Sequence, residues 1–137
     1  MSRNPTTVLR IVTAGLVGAI AGIHLDLWAS HGYRRIPTIG PLFLLTGIVG
    51  SLLVIGCLLA PRRVLPATAA SAGLFAASTL GALVLAVNVG LFGFTESTQA
   101  PLFDQAIGVE AATIVTASLL AGLVVRRTGA LAVHSRT

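Results

Sequence analysis

Nine polar or aromatic side chains that could take part in chemistry lie in or beside otherwise apolar stretches of the sequence. They are His24, Asp26, Trp28, His31, Arg34, Arg35, Asn88, Glu96 and Glu110. Imidazole and carboxylate groups can hold a proton, a cation or an arginine side chain. Because polar groups are costly within an apolar helix, they usually face protein or water. We therefore expect these residues to form a polar cluster that binds a ligand or stabilises the fold.

Helical geometry separates the polar groups of the first apolar stretch. At about 100° per residue, His24, Trp28 and His31 fall within about 60° of one another, whereas Asp26 lies about 200° from His24. His24 and His31 are about 10.5 Å apart along a continuous helix, and the sequence has no H-x-x-x-H or E-x-x-H motif. His24, His31 and Glu110 are therefore only weak candidates for metal ligands, and no cofactor is predicted.

The sequence lacks the spacings that common catalytic motifs require. It contains no G-x-S-x-G nucleophile elbow, no Walker A motif and no dinucleotide-binding fingerprint. Its single cysteine, Cys57, lies in an apolar stretch, so one chain can form neither a disulfide nor a cysteine metal cluster. These features favour a non-enzymatic protein and leave an enzyme as the alternative.

The composition is typical of a protein that resides in a lipid bilayer. Of 137 residues, 55% are hydrophobic and 9% are charged, whereas an average soluble domain has about 25% charged residues. Nine basic and four acidic side chains cannot cover the exterior of a soluble fold of this size. The basic residues flank apolar stretches instead of clustering on one polar face, which argues against nucleic acid as a partner.

Four apolar stretches predict four transmembrane helices, because about 20 apolar residues cross a bilayer as a helix. The predicted spans cover about residues 10–30, 41–60, 68–92 and 104–125 of a single transmembrane domain, residues 1–137. Short connections make sequential helices antiparallel neighbours, so the predicted fold is all-α, an integral membrane up-down four-helix bundle. We expect the first span to be retained, since no small-residue cleavage site follows it.

The distribution of arginines predicts the orientation of this bundle. One side carries seven arginines: Arg3, Arg10, Arg62, Arg63, Arg126, Arg127 and Arg136. The other side carries only Arg34 and Arg35, so the positive-inside rule places both termini and a tail, residues 126–137, in the cytoplasm of a multi-pass cell-membrane protein. The extracytoplasmic half holds all four carboxylates: Asp26, Glu96, Asp104 and Glu110. We expect Arg34 or Arg35 to form an ion pair with one of these acids.

Small residues at four-residue spacing predict close packing of two helices. The first span carries Ala14, Gly18 and Gly22, and the third carries Gly73, Ala77 and Gly81. In lipid, such residues let helix backbones approach closely. We expect the two faces to pack against each other within one bundle, and a homo-oligomer interface is the alternative.

Three sequence blocks carry a resemblance to a known group of proteins. They are G-I-H-L-x-L-W from Gly22 to Trp28, G-Y-R-x-I-P-T-I-G-P-L-F-L-L from Gly32 to Leu45, and G-L-F-G-F-T-E from Gly90 to Glu96. In these blocks the chain resembles an uncharacterised family of small four-helix integral membrane proteins of high-GC bacteria. The resemblance covers the four spans, and it implies a topology but no activity.

Three functional hypotheses follow from the sequence. The first is a non-enzymatic accessory or ligand-binding module, with a polar chamber open to the extracytoplasmic side and a membrane protein or a second copy as partner. The second is a small membrane redox protein that binds a metal, haem or quinone through His24 and Glu110. The third is an ion or proton carrier that uses Asp26 and Glu110, and it ranks last because the inner half of the spans holds no charge.

Overall fold

The computed structural model describes residues 4–134, with side chains described over residues 4–126. Residues 1–3 and 135–137, which include Arg3, Arg136 and the end of the predicted tail, lie outside the described residues. Four long helices form the fold: α1 Pro5–Ser30, α2 Ile39–Leu59, α3 Leu65–Asn88 and α4 Phe103–His134. A 3-10 helix, Tyr33–Arg35, lies between α1 and α2, and the described residues form no β-strand. The predicted all-α class is confirmed.

All four helices are long and apolar enough to cross a membrane, so the chain is a multi-pass membrane protein by length and composition. In α4 the part that meets these criteria is Phe103–Arg126. The helix continues beyond that segment to His134, through part of the predicted tail.

Local sequence explains where the helices begin and end. At the start of α1, Pro5 occupies the first turn and the Asn4 side chain accepts a hydrogen bond from the Thr6 N–H at 3.1 Å. This is the arrangement expected at a helix N-terminus, where backbone N–H groups lack helical partners. The end of α3 is an example of a C-terminus: the helix ends at Asn88 because Gly90 turns the chain with a φ of 81°.

A side chain from α1 caps the carboxyl end of α2. Pro61 has no N–H to donate to the Cys57 carbonyl, so the last turn of α2 is left short of donors. The Arg10 guanidinium supplies them: Nε donates to the Cys57 carbonyl, and Nη2 donates to the carbonyls of Leu58 at 2.8 Å and Ala60 at 2.6 Å. A cation at this position also interacts favourably with the helix dipole. Arg10 thereby ties α1 to α2.

Glycines in α2 set its close approach to α1. A side chain at Gly47 would overlap the Leu25 side chain, and a Cβ atom at Gly50 would lie 2.8 Å from the Ala21 Cβ. Two helix pairs can be distinguished, because α1 packs most closely on α2 and α3 packs most closely on α4. The two pairs meet mainly through α1 and α4. Helices α2 and α3 make less contact with each other.

The predicted packing of the small-residue faces of α1 and α3 against each other is wrong. Gly18 of α1 faces Val54 of α2, and Gly73 of α3 faces Ala117 of α4. The reason is the order of the helices, since α1 packs on α2 and α4 while α3 packs on α4. Gly18 and Gly73 therefore each contact a neighbour within their own helix pair, whereas Gly22, Ala77 and Gly81 are exposed.

The bundle has two distinct ends. At one end, which we call the double-loop end, the connections from α1 to α2 and from α3 to α4 pack together in a cluster that includes Leu27, Tyr33, Phe94 and Leu102. The opposite end, which we call the arginine end, holds Arg10 and the connection from α2 to α3, with its own buried cluster around Leu65, Ala69, Leu120 and Val124. The polar residues predicted to have a function concentrate at the double-loop end.

Candidate ligand-binding cavity

A cavity of about 200 Å³ lies at the double-loop end, and all four helices and both loops contribute to its walls. Most of the lining is apolar, and four aromatic rings contribute to it: Tyr33, Phe43, Phe94 and Phe103. An apolar cavity of about 150 Å³ can hold benzene. The present cavity therefore has room for one ring-sized apolar group with a short substituent.

Helices α2 and α3 form part of the cavity wall toward the double-loop end. Nearer the arginine end the two helices approach each other, and a Cβ atom at Gly50 would lie 3.1 Å from the Phe75 ring. Closer to the double-loop end, Leu42 of α2 and Ser78 of α3 line the cavity and are also exposed on the outside of the bundle. The cavity wall therefore reaches the outer surface of the bundle at these two residues.

Glu110 is the most deeply buried polar group of this cavity. Its side chain is 2% exposed, and the Thr79 hydroxyl of α3 is its hydrogen-bond neighbour. The same hydroxyl oxygen lies 3.0 Å from the Ala76 carbonyl and 3.3 Å from the Phe75 carbonyl. The Thr79 hydroxyl hydrogen is thus engaged by carbonyls of its own helix, and the Glu110 Oε2 atom has no hydrogen-bond partner among the described residues. Glu110 is left short of donors.

His24 lies across the cavity on α1, and its hydrogen bond identifies which ring nitrogen carries hydrogen. Nδ1 lies 2.9 Å from the Ile20 carbonyl, which can only accept, so Nδ1 is the donor. In the neutral ring Nε2 is then an acceptor. The ring also packs on Phe43, with 4.9 Å between the ring centroids.

A hydrogen bond between the two loops forms the roof of the cavity. The Tyr33 hydroxyl donates to Glu96 Oε2 at 2.7 Å, and Glu96 Oε1 accepts from the Ser97 N–H at 2.9 Å. Burial of the ring raises the pKa of Tyr33 above its ordinary value, and the neighbouring Glu96 carboxylate raises this pKa further. The Tyr33 ring stacks on Phe43 with centroids 4.8 Å apart and meets the edge of Phe94 at 6.0 Å.

The remaining hydroxyl groups of the lining are engaged by their own helices. Thr46 and Ser78 each donate to a backbone carbonyl at 2.8 Å. With Tyr33 donating to the Glu96 carboxylate, every hydroxyl hydrogen of the described lining side chains has an acceptor. Unused acceptors remain at Glu110 and, in the neutral ring, at His24. The side chains of the cavity are therefore rich in acceptors and poor in donors.

Four residues of the predicted cluster lie outside the cavity. Asp26 and His31 contact each other, with 3.4 Å between Asp26 Oδ2 and His31 Nδ1, and both are partly exposed. This contact forms because α1 ends at Ser30, so His31 leaves the helical path. The predicted ion pair of Arg34 or Arg35 is wrong: both side chains are exposed, and neither is paired with a carboxylate of the described side chains.

Two further predicted residues are separate from the cavity. Trp28 is half-buried but does not line it, and the exposed Asn88 donates to the Val84 carbonyl of its own helix at 2.8 Å. Of the nine predicted residues, the structure brings His24, Glu96 and Glu110 together around one cavity.

Sequence reasoning missed Tyr33 and Thr79 as parts of this site. Tyr33 stood within the block that carries the family resemblance, but no spacing linked it to Glu96, which is 63 residues away. Thr79 is a common type of residue in an apolar helix, and nothing in the sequence pairs it with Glu110.

The weak metal candidates do not converge. His24 and Glu110 line the cavity, whereas His31 contacts Asp26 outside it. Within the part of the chain that the structure describes, no three His, Cys, Asp or Glu side chains form a group that could hold a metal ion.

Comparisons of the chain with protein-family models, curated proteins and solved structures found no match. Function is therefore inferred from the cavity and its side chains.

Proposed function

We propose that the protein is a non-enzymatic membrane protein that binds a small amphipathic ligand in the cavity at its double-loop end. The observation that supports this most directly is the Glu110 Oε2 atom, which is buried at an apolar cavity and has no partner among the described residues. An unsatisfied buried polar group costs about 1–3 kcal/mol. A ligand that donates a hydrogen bond to this oxygen would remove that cost.

The shape of the cavity supports a ligand that reaches it from the bilayer. Leu42 and Ser78 form both the lining and the outer surface between α2 and α3, and α2 is exposed along much of its length. In a membrane, a surface exposed between these two helices would face lipid. A molecule with an apolar body and one polar group partitions into such an environment and matches the composition of the walls.

We further propose that the bundle crosses the cell membrane four times in an up-down arrangement, with both termini in the cytoplasm and the cavity toward the extracytoplasmic side. The exposed pair Arg62 and Arg63 lies at the arginine end, in the connection from α2 to α3. The exposed pair Arg34 and Arg35 lies at the double-loop end. The larger total of arginines on the side of the termini supports this orientation through the positive-inside rule.

The orientation can be tested by cysteine labelling in a Cys57→Ala background. Arg34→Cys and Arg62→Cys place one thiol in each exposed connection. A maleimide that cannot cross membranes should label position 34 in intact cells and position 62 only after the cells are permeabilised. The reverse pattern would overturn the orientation and move the cavity to the cytoplasmic side.

The other two hypotheses receive less support from the cavity. Quinone oxygens accept hydrogen bonds, whereas the hydroxyl groups of Tyr33, Thr46 and Ser78 already donate elsewhere. With Glu110 ionised, the lining side chains therefore offer a quinone no free hydroxyl donor. A proton or ion carrier needs a path past Glu110, and no other acidic side chain is buried among the described residues.

Ligand binding can be tested by fluorine NMR on the protein in phosphatidylcholine nanodiscs, with p-fluorotoluene as a ring-sized probe. We expect saturable binding above the linear partitioning that empty nanodiscs show. Ala82→Leu adds a larger side chain to the cavity wall and should abolish the saturable component. Ala77→Leu is the matched control, because Ala77 is exposed on the same helix and does not line the cavity.

Two results would contradict the proposed function. One is partitioning that does not saturate, in protein-containing as in empty nanodiscs, both for p-fluorotoluene and for p-fluorobenzyl alcohol, which adds a hydrogen-bond donor. The other is saturable binding that Ala82→Leu leaves intact, since the probe would then occupy a different place on the protein. Circular dichroism of both variants checks that the helices are retained.

A further inference from the structure

We infer that the ligand of this cavity is a small protonated amine, whose ammonium group donates to Glu110 and whose apolar body lies among the aromatic rings. This inference rests on the proposed ligand-binding function and adds the chemical class of the ligand to it.

The balance of donors and acceptors is the first line of support. Glu110 Oε2 has no partner among the described residues, and the hydroxyl of the neighbouring Thr79 is engaged by carbonyls of its own helix. The Thr46, Ser78 and Tyr33 hydroxyls donate elsewhere. A ligand therefore has to bring donors, and an ammonium group brings up to three.

The charges around the cavity point in the same direction. Its lining includes two carboxyl groups, those of Glu96 and Glu110, and no arginine among the described side chains. Both oxygens of Glu96 already accept hydrogen bonds, from Tyr33 and from the Ser97 backbone. Glu110 is thus the carboxyl group with an unused oxygen, and hydrogen bonds between ionised partners are the stronger kind in a site of low polarity.

The rest of the lining fits the apolar part of such a ligand. The rings of Tyr33, Phe43, Phe94 and Phe103 contribute to the wall beside the aliphatic side chains. The faces of aromatic rings attract cations as well as apolar groups. The volume of about 200 Å³ limits the body to about the size of one ring with a short arm. A neutral hydrogen-bond acceptor of the same size would leave the ionised Glu110 carboxylate without a donor.

A matched set of fluorinated probes tests this inference in the same phosphatidylcholine nanodiscs. The set comprises p-fluorobenzylamine, p-fluorobenzyl alcohol, p-fluoroacetophenone and p-fluorotoluene, which differ mainly in the polar group. We expect the amine to bind tightest, about ten- to hundredfold more tightly than the ketone, which is the range for a charge-assisted hydrogen bond. The alcohol, a neutral donor, should fall between them.

Substitution of Glu110 provides a second test of the inferred ligand class. Glu110→Gln should weaken binding of the amine by about tenfold or more, because the amide cannot carry a negative charge. The same change should leave the ketone unchanged or tighten its binding, because the amide N–H₂ can donate to the ketone oxygen. Asp104→Asn is the matched control, since it removes an exposed acid from the same helix outside the cavity and should change neither affinity.

The outcomes separate this inference from the proposed function. If the ketone binds wild-type protein as tightly as the amine does, or if Glu110→Gln retains the preference for the amine, the inference is overturned. That result leaves the proposed function standing whenever p-fluorotoluene still binds in a saturable manner that Ala82→Leu abolishes. If no probe shows saturable binding, both fall. The comparison of probes on wild-type protein decides the question even where Glu110→Gln does not fold.

Discussion

The two ends of the bundle differ in how completely they satisfy the hydrogen bonds of an ionisable side chain. The two side chains are Arg10, which is partly buried, and Glu110, which is buried. At the arginine end, Arg10 donates to three backbone carbonyls and completes the last turn of α2. At the double-loop end, the Thr79 hydroxyl beside Glu110 is engaged by its own helix, and the Glu110 Oε2 atom has no partner among the described residues. A polar side chain whose bonds are complete stabilises the fold, whereas one that is left incomplete is a candidate for ligand binding.

The largest effect is expected at the arginine end. Arg10→Met keeps an unbranched apolar side chain but removes the donors for the carbonyls of Cys57, Leu58 and Ala60. The free energy of unfolding should fall by about 2–4 kcal/mol, because carbonyls at an uncapped helix end beside an apolar bundle have few alternative donors. Unfolding in mixed detergent micelles, followed by circular dichroism, measures this change.

Arg62→Met is the matched control for that measurement. Arg62 is exposed in the connection from α2 to α3, so its replacement should change stability by less than about 0.5 kcal/mol. Equal losses for Arg10→Met and Arg62→Met would contradict the assignment of Arg10 as the cap of α2.

The opposite sign is expected at the double-loop end. Glu110→Met replaces a buried carboxyl group that lacks a donor with an apolar side chain of similar length. The free energy of unfolding should rise by about 1–2 kcal/mol, because the cost of burying that group disappears. A loss of stability as large as that for Arg10→Met would instead identify Glu110 as a structural residue and remove the contrast between the two ends.

A smaller effect, on the pH dependence of stability, is expected from Tyr33. The pKa of Tyr33 is raised in the folded protein by burial and by the Glu96 carboxylate. The unfolded chain therefore releases the phenolic proton first, and the stability from this group is present below about pH 10 and is lost as the pH rises above it. Because Tyr33 is the only tyrosine, phenolate absorbance reports its titration directly.

Tyr33→Phe serves as the control for this titration. The variant should lack the phenolate signal. As the pH rises above about 10, its free energy of unfolding should fall less than that of the wild type. At neutral pH it should be less stable by about 0.5–1.5 kcal/mol, the usual contribution of one hydrogen bond. The assignment fails if the phenol of the folded protein titrates at the same pH as that of the denatured chain.

The smallest effect is expected for the contact between Asp26 and His31. Both side chains are partly exposed, at 48% and 35% of their surface, so solvent screens their interaction. A double-mutant cycle with Asp26→Asn and His31→Asn should give a coupling energy below about 1 kcal/mol. A larger coupling energy would show that this pair, and not only the hydrogen bond between Tyr33 and Glu96, stabilises the double-loop end.

Several features of the fold were accessible from local sequence. The apolar stretches predicted four helices long enough to cross a bilayer, because length and hydropathy alone determine that property. Asn4 and Pro5 mark the start of α1, and Gly90 marks the end of α3. The predicted spans did not use these signals, since the first began at about residue 10 and the third ended at about residue 92. Each of these signals acts over a few residues, so no tertiary information was needed to read it.

The candidate site was only partly accessible. His24, Glu96 and Glu110 stood out because ionisable groups are rare in this chain. The error over Arg34 and Arg35 arose because charge complementarity alone does not determine a pair. In the structure Tyr33 occupies the Glu96 carboxylate, and Asp26 contacts His31.

Composition and helix length thus determined the class of the protein, an all-α membrane protein. Which polar groups meet was decided only by tertiary structure. An apolar helix in lipid gives no hydrophobic pattern that distinguishes its inner face from its outer face. The rotation of α2 against α1 follows from the fit of Gly47 and Gly50 onto Leu25 and Ala21. Packing of this kind, not the pattern of any one helix, also brings α3 against α4 and leaves the Glu110 oxygen without a donor.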